Sequence, residues 1–294
     1  MQVLVTGGSG FIGGALCARL QADGHAVTVL TRDPTRTARD VAGVRAVATL
    51  ADVSGIDAVV NLAGEPLADG RWTDARKQAF RDSRLDTTRA LLAWMAQQPT
   101  RPAVLVSGSA IGYYGPRGDN RLDESAAPAE DFAARLCRDW EDAAREAEPL
   151  GVRVCTVRIG VVLHPDGGAL AKMLPPFRLG AGGPMGSGKQ WMSWITRGDL
   201  VSLIVFLLGD GTASGAYNGT APEPVRNEDF ASALGAALHR PTMIRTPAFA
   251  LKALFGEMSS LLLSGQRVVP ARAQAAGFAF AHPTLDAALA SLLR

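Results

Sequence analysis

Residues 1–14, MQVLVTGGSGFIGG, decide how the rest of this chain is read. Val3, Leu4 and Val5 form a short aliphatic run suited to a buried strand, and Thr6 with Gly7, Gly8, Ser9 and Gly10 ends it. A new periodicity then begins: Ile12, Leu16 and Leu20 recur every four residues with Ala15 beside them, which is one face of a helix. Asp23-Gly24 stops that helix, and Ala26 to Leu30 reads as a second strand. Gly7, Gly10 and Gly13 therefore fall where a strand turns into a helix, the setting that a dinucleotide fingerprint requires. Gly7 allows the tight turn, Gly10 lets a pyrophosphate approach the backbone, and Gly13 lets helix and strand pack closely. The free N–H groups and the dipole at the helix start attract phosphates, so Gly7, Gly10, Phe11, Ile12 and Gly13 are the expected contacts. Glycine turns also occur without any ligand; here the surrounding strand–helix–strand order supports the nucleotide reading.

Composition narrows the field. The 294 residues carry 30 basic and 28 acidic side chains, a net charge of +2, which gives no reason to expect a nucleic-acid or membrane partner. Cys17, Cys137 and Cys155 lie far apart, without metal-ligand spacing or a disulfide framework. They suit a reducing compartment, so a cytoplasmic location is expected and no metal is. The opening residues read as strand and phosphate loop rather than a cleaved signal. The most apolar run, Leu200 to Leu208, is nine residues long, roughly half of what a membrane helix needs. Asp199 is placed to cap it and Gly209 to end it, as a buried helix.

After the second strand comes Thr31-Arg32-Asp33-Pro34. An acidic residue at this point would bind the ribose 2′-hydroxyl, and an arginine a 2′-phosphate. Arg32 takes the position and favours NADP, with Asp33 one residue away as the competitor. Further strands follow at Val44–Val47, Asp57–Gly64, Ala103–Val106 and Val152–Val157, with helices at about 73–98 and 131–148. This alternation specifies an α/β fold, a doubly wound parallel sheet of the Rossmann type, to about residue 158. Residues 159–294 make a smaller, mainly helical substrate lobe, some segments of which return to the sheet. Ligands in such folds bind at the carboxyl ends of the strands. Arg32, Asn61, Ala63, Ser107, Ser109 and Arg158 are therefore expected to line one cleft.

VTGGSGFIG, VVNLAG and VSGSAIGYYG together resemble extended short-chain dehydrogenase/reductases of the NAD-dependent epimerase/dehydratase kind. GEPLADGRWT, GSGKQWMSWI and LLLSGQRVVPARAQAAGFAF resemble an atypical subgroup with a short C-terminal domain. The resemblance implies a bound NADP or NAD, a substrate site facing the C-terminal part, and a homodimer paired through the two long helices. In typical members a Tyr-x-x-x-Lys pair transfers the proton. Here Tyr113, Tyr114 and Tyr217 are followed four residues on by Arg117, Gly118 and Ala221, so the pair is absent. Aligning on Trp140-Glu141 puts Ala133 and Cys137 in its place, and Arg84 where a helper asparagine would stand.

Hydride transfer to a carbonyl leaves an alkoxide that needs a proton or a strong hydrogen bond. Ser109 is expected to orient the carbonyl and Tyr113 to donate the proton, with Tyr114 as an alternative donor. An unassisted tyrosine, with a pKa near ~10, is a poor base at neutral pH, so the expected direction is reduction. Cys137 reads as packing or a reactive thiol; Trp191 and Trp194 read as pocket lining or lobe core. The leading expectation is an NADP-dependent oxidoreductase or epimerase-like enzyme acting on a small carbonyl or sugar-nucleotide-like substrate. The other is an NADP-binding sensor or scaffold without catalysis.

Overall fold

A computed structural model describes residues 1–293. Short runs of β-branched residues form the strands β1 (Gln2–Thr6), β2 (Ala26–Leu30), β3 (Arg45–Val47), β4 (Ala58–Asn61) and β5 (Val104–Ala110). After the two-residue β6 (Arg121–Leu122) come β7 (Arg153–Ile159) and β8 (Val161–His164). The remaining strands are β9 (Trp191–Met192), β10 (Trp194–Thr196), β11 (Gly215–Gly219), β12 (Val225–Arg226) and β13 (Arg267–Val268). Seven of them build one sheet in the order β11-β7-β5-β4-β1-β2-β3, and every pairing is parallel.

Parallel pairing leaves both faces to be covered by helices, and alternate residues of each strand face opposite layers. Val3 and Val5 pack with Leu16 and Leu20 of α1 (Gly13–Ala22), whereas Leu4 packs in a layer of two long helices on the other face. Those helices are α3 (Asp74–Gln97) and α4 (Phe132–Arg145); α2 (Pro34–Asp40) is a short helix on the polar stretch after β2. Thr73 caps α3 through Arg76 N–H at 3.2 Å, and Asp131 caps α4 through Ala134 N–H at 2.9 Å.

Several segments beyond residue 158 return to this unit. β11 adds the outermost strand beside β7, and α6 (Arg197–Gly209) covers the same face as α1. The cap of α6 differs from expectation. Thr196 Oγ1 accepts from Asp199 N–H at 3.0 Å, while the Asp199 carboxylate holds the amides of Ala281 and His282. Asp199 lies inside the first turn, where its carboxylate also accepts from the Thr196 hydroxyl at 2.9 Å, so it braces the cap of its own helix and ties the C-terminal segment to it.

The other lobe consists of α5 (Gly168–Arg178), α7 (Asn227–Leu238), α8 (Ala248–Phe255), α9 (Ser260–Leu263) and α11 (Leu285–Leu292), while α10 (Ala271–Ala275) packs through Ala273 on the sheet beside β11. Three ribbons stitch the lobe together: β8 with β10, β9 with β12, and β6 with β13. Its core gathers Leu170, Leu174, Trp194, Phe230 and Leu289. Among the described residues no helix is long and apolar enough to cross a membrane.

Candidate functional site

The glycine turn after β1 has the expected geometry. Gly7 has φ +70°, and a Cβ there would come within 2.6 Å of the Leu62 carbonyl oxygen. A Cβ on Gly13 would overlap the Gly7 carbonyl, so only glycine lets α1 start against the strand. Gly10 N–H donates to Gly7 O and Gly14 N–H to Gly10 O, both at 2.9 Å. The amides of Phe11, Ile12 and Gly13 meet no protein acceptor, and no side chain caps α1. Open amides at a helix start suit a phosphate. Phe11 leans away to pack on Gly167 and Gly168, under the Arg197 guanidinium. Arg197 donates to His164 Nε2 at 2.8 Å. Burial and the Arg197 charge hold the imidazole below its usual pKa, consistent with a neutral acceptor.

At the end of β2 the two candidates, Arg32 and Asp33, are differently engaged. Asp33 Oδ1 accepts from Arg36 N–H at 2.9 Å as the cap of α2. The Arg32 side chain is 96% exposed, with only Glu65 near it at 3.6 Å. Ala63, whose N–H donates to Thr6 Oγ1 at 3.2 Å, lies with Leu62 across from the glycine turn. Gly7, Gly10, Phe11, Ile12 and Gly13 thus form one turn against Leu62 and Ala63 at the end of β4, and Arg32, at the end of β2, lies beside Glu65, two residues beyond Ala63.

Four expected cleft residues are elsewhere. Asn61 is fully buried, accepting from Thr6 Oγ1 at 2.6 Å and donating to Thr88 Oγ1 at 2.9 Å. It ties the sheet to α3 because it still belongs to the strand, whose alternation turns it into the helix layer. Ser107 is fully buried for the same reason. Ser109 is 2% exposed, and its hydroxyl donates to Glu141 Oε1 at 2.7 Å, so it holds α4 instead of orienting a carbonyl. Arg158 grips Glu141 through Nε–Oε1 at 2.8 Å and Nη2–Oε2 at 2.9 Å, with only 4% of the residue exposed. Burial alone would lower the Arg158 pKa; the Glu141 pair and Tyr114 outweigh it and raise it. Glu141, in the middle of a helix pattern, gave no signal of this role in the sequence.

Tyr114 completes that buried network. Its hydroxyl donates to Asn218 Oδ1 at 2.7 Å and accepts from Arg158 at 2.8 Å, and burial pushes its pKa up to about 12. The Tyr113 ring instead lies over the Arg158 guanidinium at 3.5 Å, half-buried, its hydroxyl bonded to no described residue. Of the two tyrosines, only Tyr113 has a hydroxyl free for a ligand.

Cys137 is nearly fully buried beside Gly112, and burial, then the Glu141 charge, pushes its thiol up to about 11. It is a packing residue. We expect negligible alkylation by iodoacetamide at pH 7 in the folded protein, with reaction appearing on unfolding; rapid labelling of native protein would contradict this. Trp194 is core, its indole N–H on Glu223 O at 3.0 Å. Trp191 is a partly exposed lobe residue between Arg226 and Arg267, bonded to Asp119 at 3.0 Å.

An open glycine turn at the carboxyl end of β1 in a parallel α/β sheet defines a Rossmann-type dinucleotide-binding protein. The chain belongs to the NAD-dependent epimerase/dehydratase family, whose model matches residues 3–218, and a domain of unknown function, DUF1731, matches residues 246–292. It is 44% identical to the chloroplastic epimerase family protein SDR39U1 homolog of Arabidopsis thaliana, over 100% of this chain and 87% of that one. It is 39% identical to the human epimerase family protein SDR39U1, over the full length of both. The crystal structure of that human protein (isoform 2) with NADPH superposes with a TM-score of 0.92, covering 100% of this chain and 99% of that chain.

Proposed function

We propose that this chain binds NADPH in the crevice at the carboxyl ends of β1, β2, β4 and β5 and reduces a carbonyl group on a small substrate. The observation that carries the cofactor choice is the pairing of an exposed Arg32 with an Asp33 already used as a helix cap. The NADPH-bound human relative supports it. Gly7, Gly10 and Gly13, with the amides of Phe11 and Ile12, would hold the pyrophosphate, and Arg32 the 2′-phosphate. The cofactor supplies the hydride. Tyr113 would donate the proton to the developing alkoxide oxygen, its ring resting on Arg158, which Glu141 in turn holds in place. Trp191, at the lobe surface, is the nearest thing to an aromatic lining for the substrate side.

Titration with NADPH and NADH tests the reading. Wild type should prefer NADPH, and Arg32→Ala should weaken NADPH about tenfold while leaving NADH unchanged, since a charge-assisted contact is lost. Because Arg32 is so exposed, the preference should shrink as salt is raised. Equal affinities in wild type would remove the assignment. A second reading, a nucleotide-responsive binding protein without turnover, is supported by the commitment of Ser109, Tyr114 and Arg158 to a closed network. Consumption of NADPH with any carbonyl compound in a broad panel separates the two.

A further inference from the structure

Arg84, on α3, is a buried cation without a counter-ion. Only 9% of it is exposed, and among the described residues it forms no ion pair. Its guanidinium has five N–H donors. Two are used, on the carbonyls of Phe80 at 3.0 Å and Glu65 at 3.1 Å. The Glu65 carboxylate makes no ion pair with Arg84, acting on it only through space, and lies 3.6 Å from Arg32. One face of the guanidinium looks onto the Trp140 ring at 5.2 Å, and the indole N–H of Trp140 is itself buried without an acceptor. The thiol of Cys137, which feels the Arg84 charge, is held neutral at pH 7 by its own burial. Burial correspondingly pulls the Arg84 pKa down, though an arginine stays charged across the physiological range.

Buried charges are normally matched by an opposite charge, because desolvation is costly. Arg158, one helix away, shows the rule: it is closed by both Glu141 oxygens. Arg84 lies against Gly64, where a Cβ would come within 2.8 Å of its guanidinium carbon, and Gly64 follows the turn at the end of β4. Its partner Cys137 approaches Gly112, just past β5. The unmatched donors therefore sit between the carboxyl ends of β4 and β5, where ligands enter a doubly wound sheet.

From this surplus of donors we infer that Arg84 is the subsite for an oxyanion, a carboxylate or phosphate carried by the substrate. The inference deepens the reductase reading by giving its substrate a negative charge. Arg84 can offer a planar fork to such a group, and the absence of a side chain at Gly64 lets the turn after β4 pack directly on the guanidinium.

Isothermal titration of oxalate and of inorganic phosphate into NADPH-saturated protein tests it, since the cofactor then occupies the other phosphate sites. Wild type should bind one of them, and Arg84→Met should weaken that binding by at least roughly tenfold with NADPH affinity unchanged. Preference for oxalate identifies a carboxylate, and preference for phosphate a phosphate ester. Should Arg84→Met fail to fold, Arg84→Lys decides: it keeps the charge but loses the fork, and must bind the anion several-fold more weakly than wild type. No binding of either anion to wild type, or equal binding by wild type and the variants, overturns the subsite. NADPH affinity is measured first. Its absence would overturn the cofactor reading alone, and the same anion titration on the unliganded protein still decides Arg84.

Discussion

Glu141→Ala should lower the thermal midpoint by roughly 10 °C. Glu141 is 1% exposed and accepts from Ser109 at 2.7 Å and from two Arg158 nitrogens at 2.8 and 2.9 Å. Removing it strands the Arg158 guanidinium in the interior, and breaking a buried pair in this way costs about 3–5 kcal/mol. In a chain of this size each kcal/mol moves the midpoint by roughly 2–4 °C. Residual contacts of Arg158 with Tyr114 and with Glu124 O soften the loss but supply no negative charge. The double variant Glu141→Leu with Arg158→Met should recover much of the stability, because neither charge is then left alone. Differential scanning calorimetry of wild type, single and double variants checks this. A single variant within about 1 kcal/mol of wild type would show that the pair contributes little, as exposed ion pairs do.

Tyr113→Phe should reduce turnover by about a hundredfold or more, the usual contribution of a positioned proton donor. The substitution removes one hydroxyl that bonds to nothing in the described structure and leaves the ring over Arg158, so folding and NADPH affinity should be unchanged. Tyr114→Phe should behave in the opposite way. Its hydroxyl bridges Asn218 and Arg158 in the core, so stability falls and the chemical step is affected only through packing. Steady-state rates of NADPH consumption, read beside thermal midpoints, distinguish the two variants. Full activity in Tyr113→Phe would take it out of the mechanism. Substrate oxidation should be slow at neutral pH, because the group against the Tyr113 ring is the Arg158 guanidinium, and its carboxylate partner Glu141 is locked in the ion pair and is not free to act as a base.

The nucleotide half of this protein is legible in the sequence because its signals are local. Gly7, Gly10 and Gly13 are demanded by backbone geometry within one turn, and the β-branched runs and helical spacing around them set the parallel sheet. Arg32 and Asp33 could both be named from sequence as ribose-side candidates, but not which of them was already engaged elsewhere. That depended on whether the chain after β2 turned into a helix that needed a cap.

The other half rests on contacts distant in sequence. Ser109 and Arg158 stand at strand ends and so read as cleft residues, yet Glu141 draws both into the interior from 32 and 17 residues away. Tyr113 and Tyr114 are neighbours in a glycine-flanked loop with nothing in composition to separate them. Only the position of Asn218, 104 residues beyond Tyr114, buries one hydroxyl and leaves the other free. Sequence alone therefore determined the fold of the nucleotide domain and the location of its phosphate turn, since both follow from short-range backbone rules. Tertiary structure decided which polar side chains face the crevice, because that depends on which buried charges find partners across the packed layers: Arg158 finds Glu141, and Arg84 finds none.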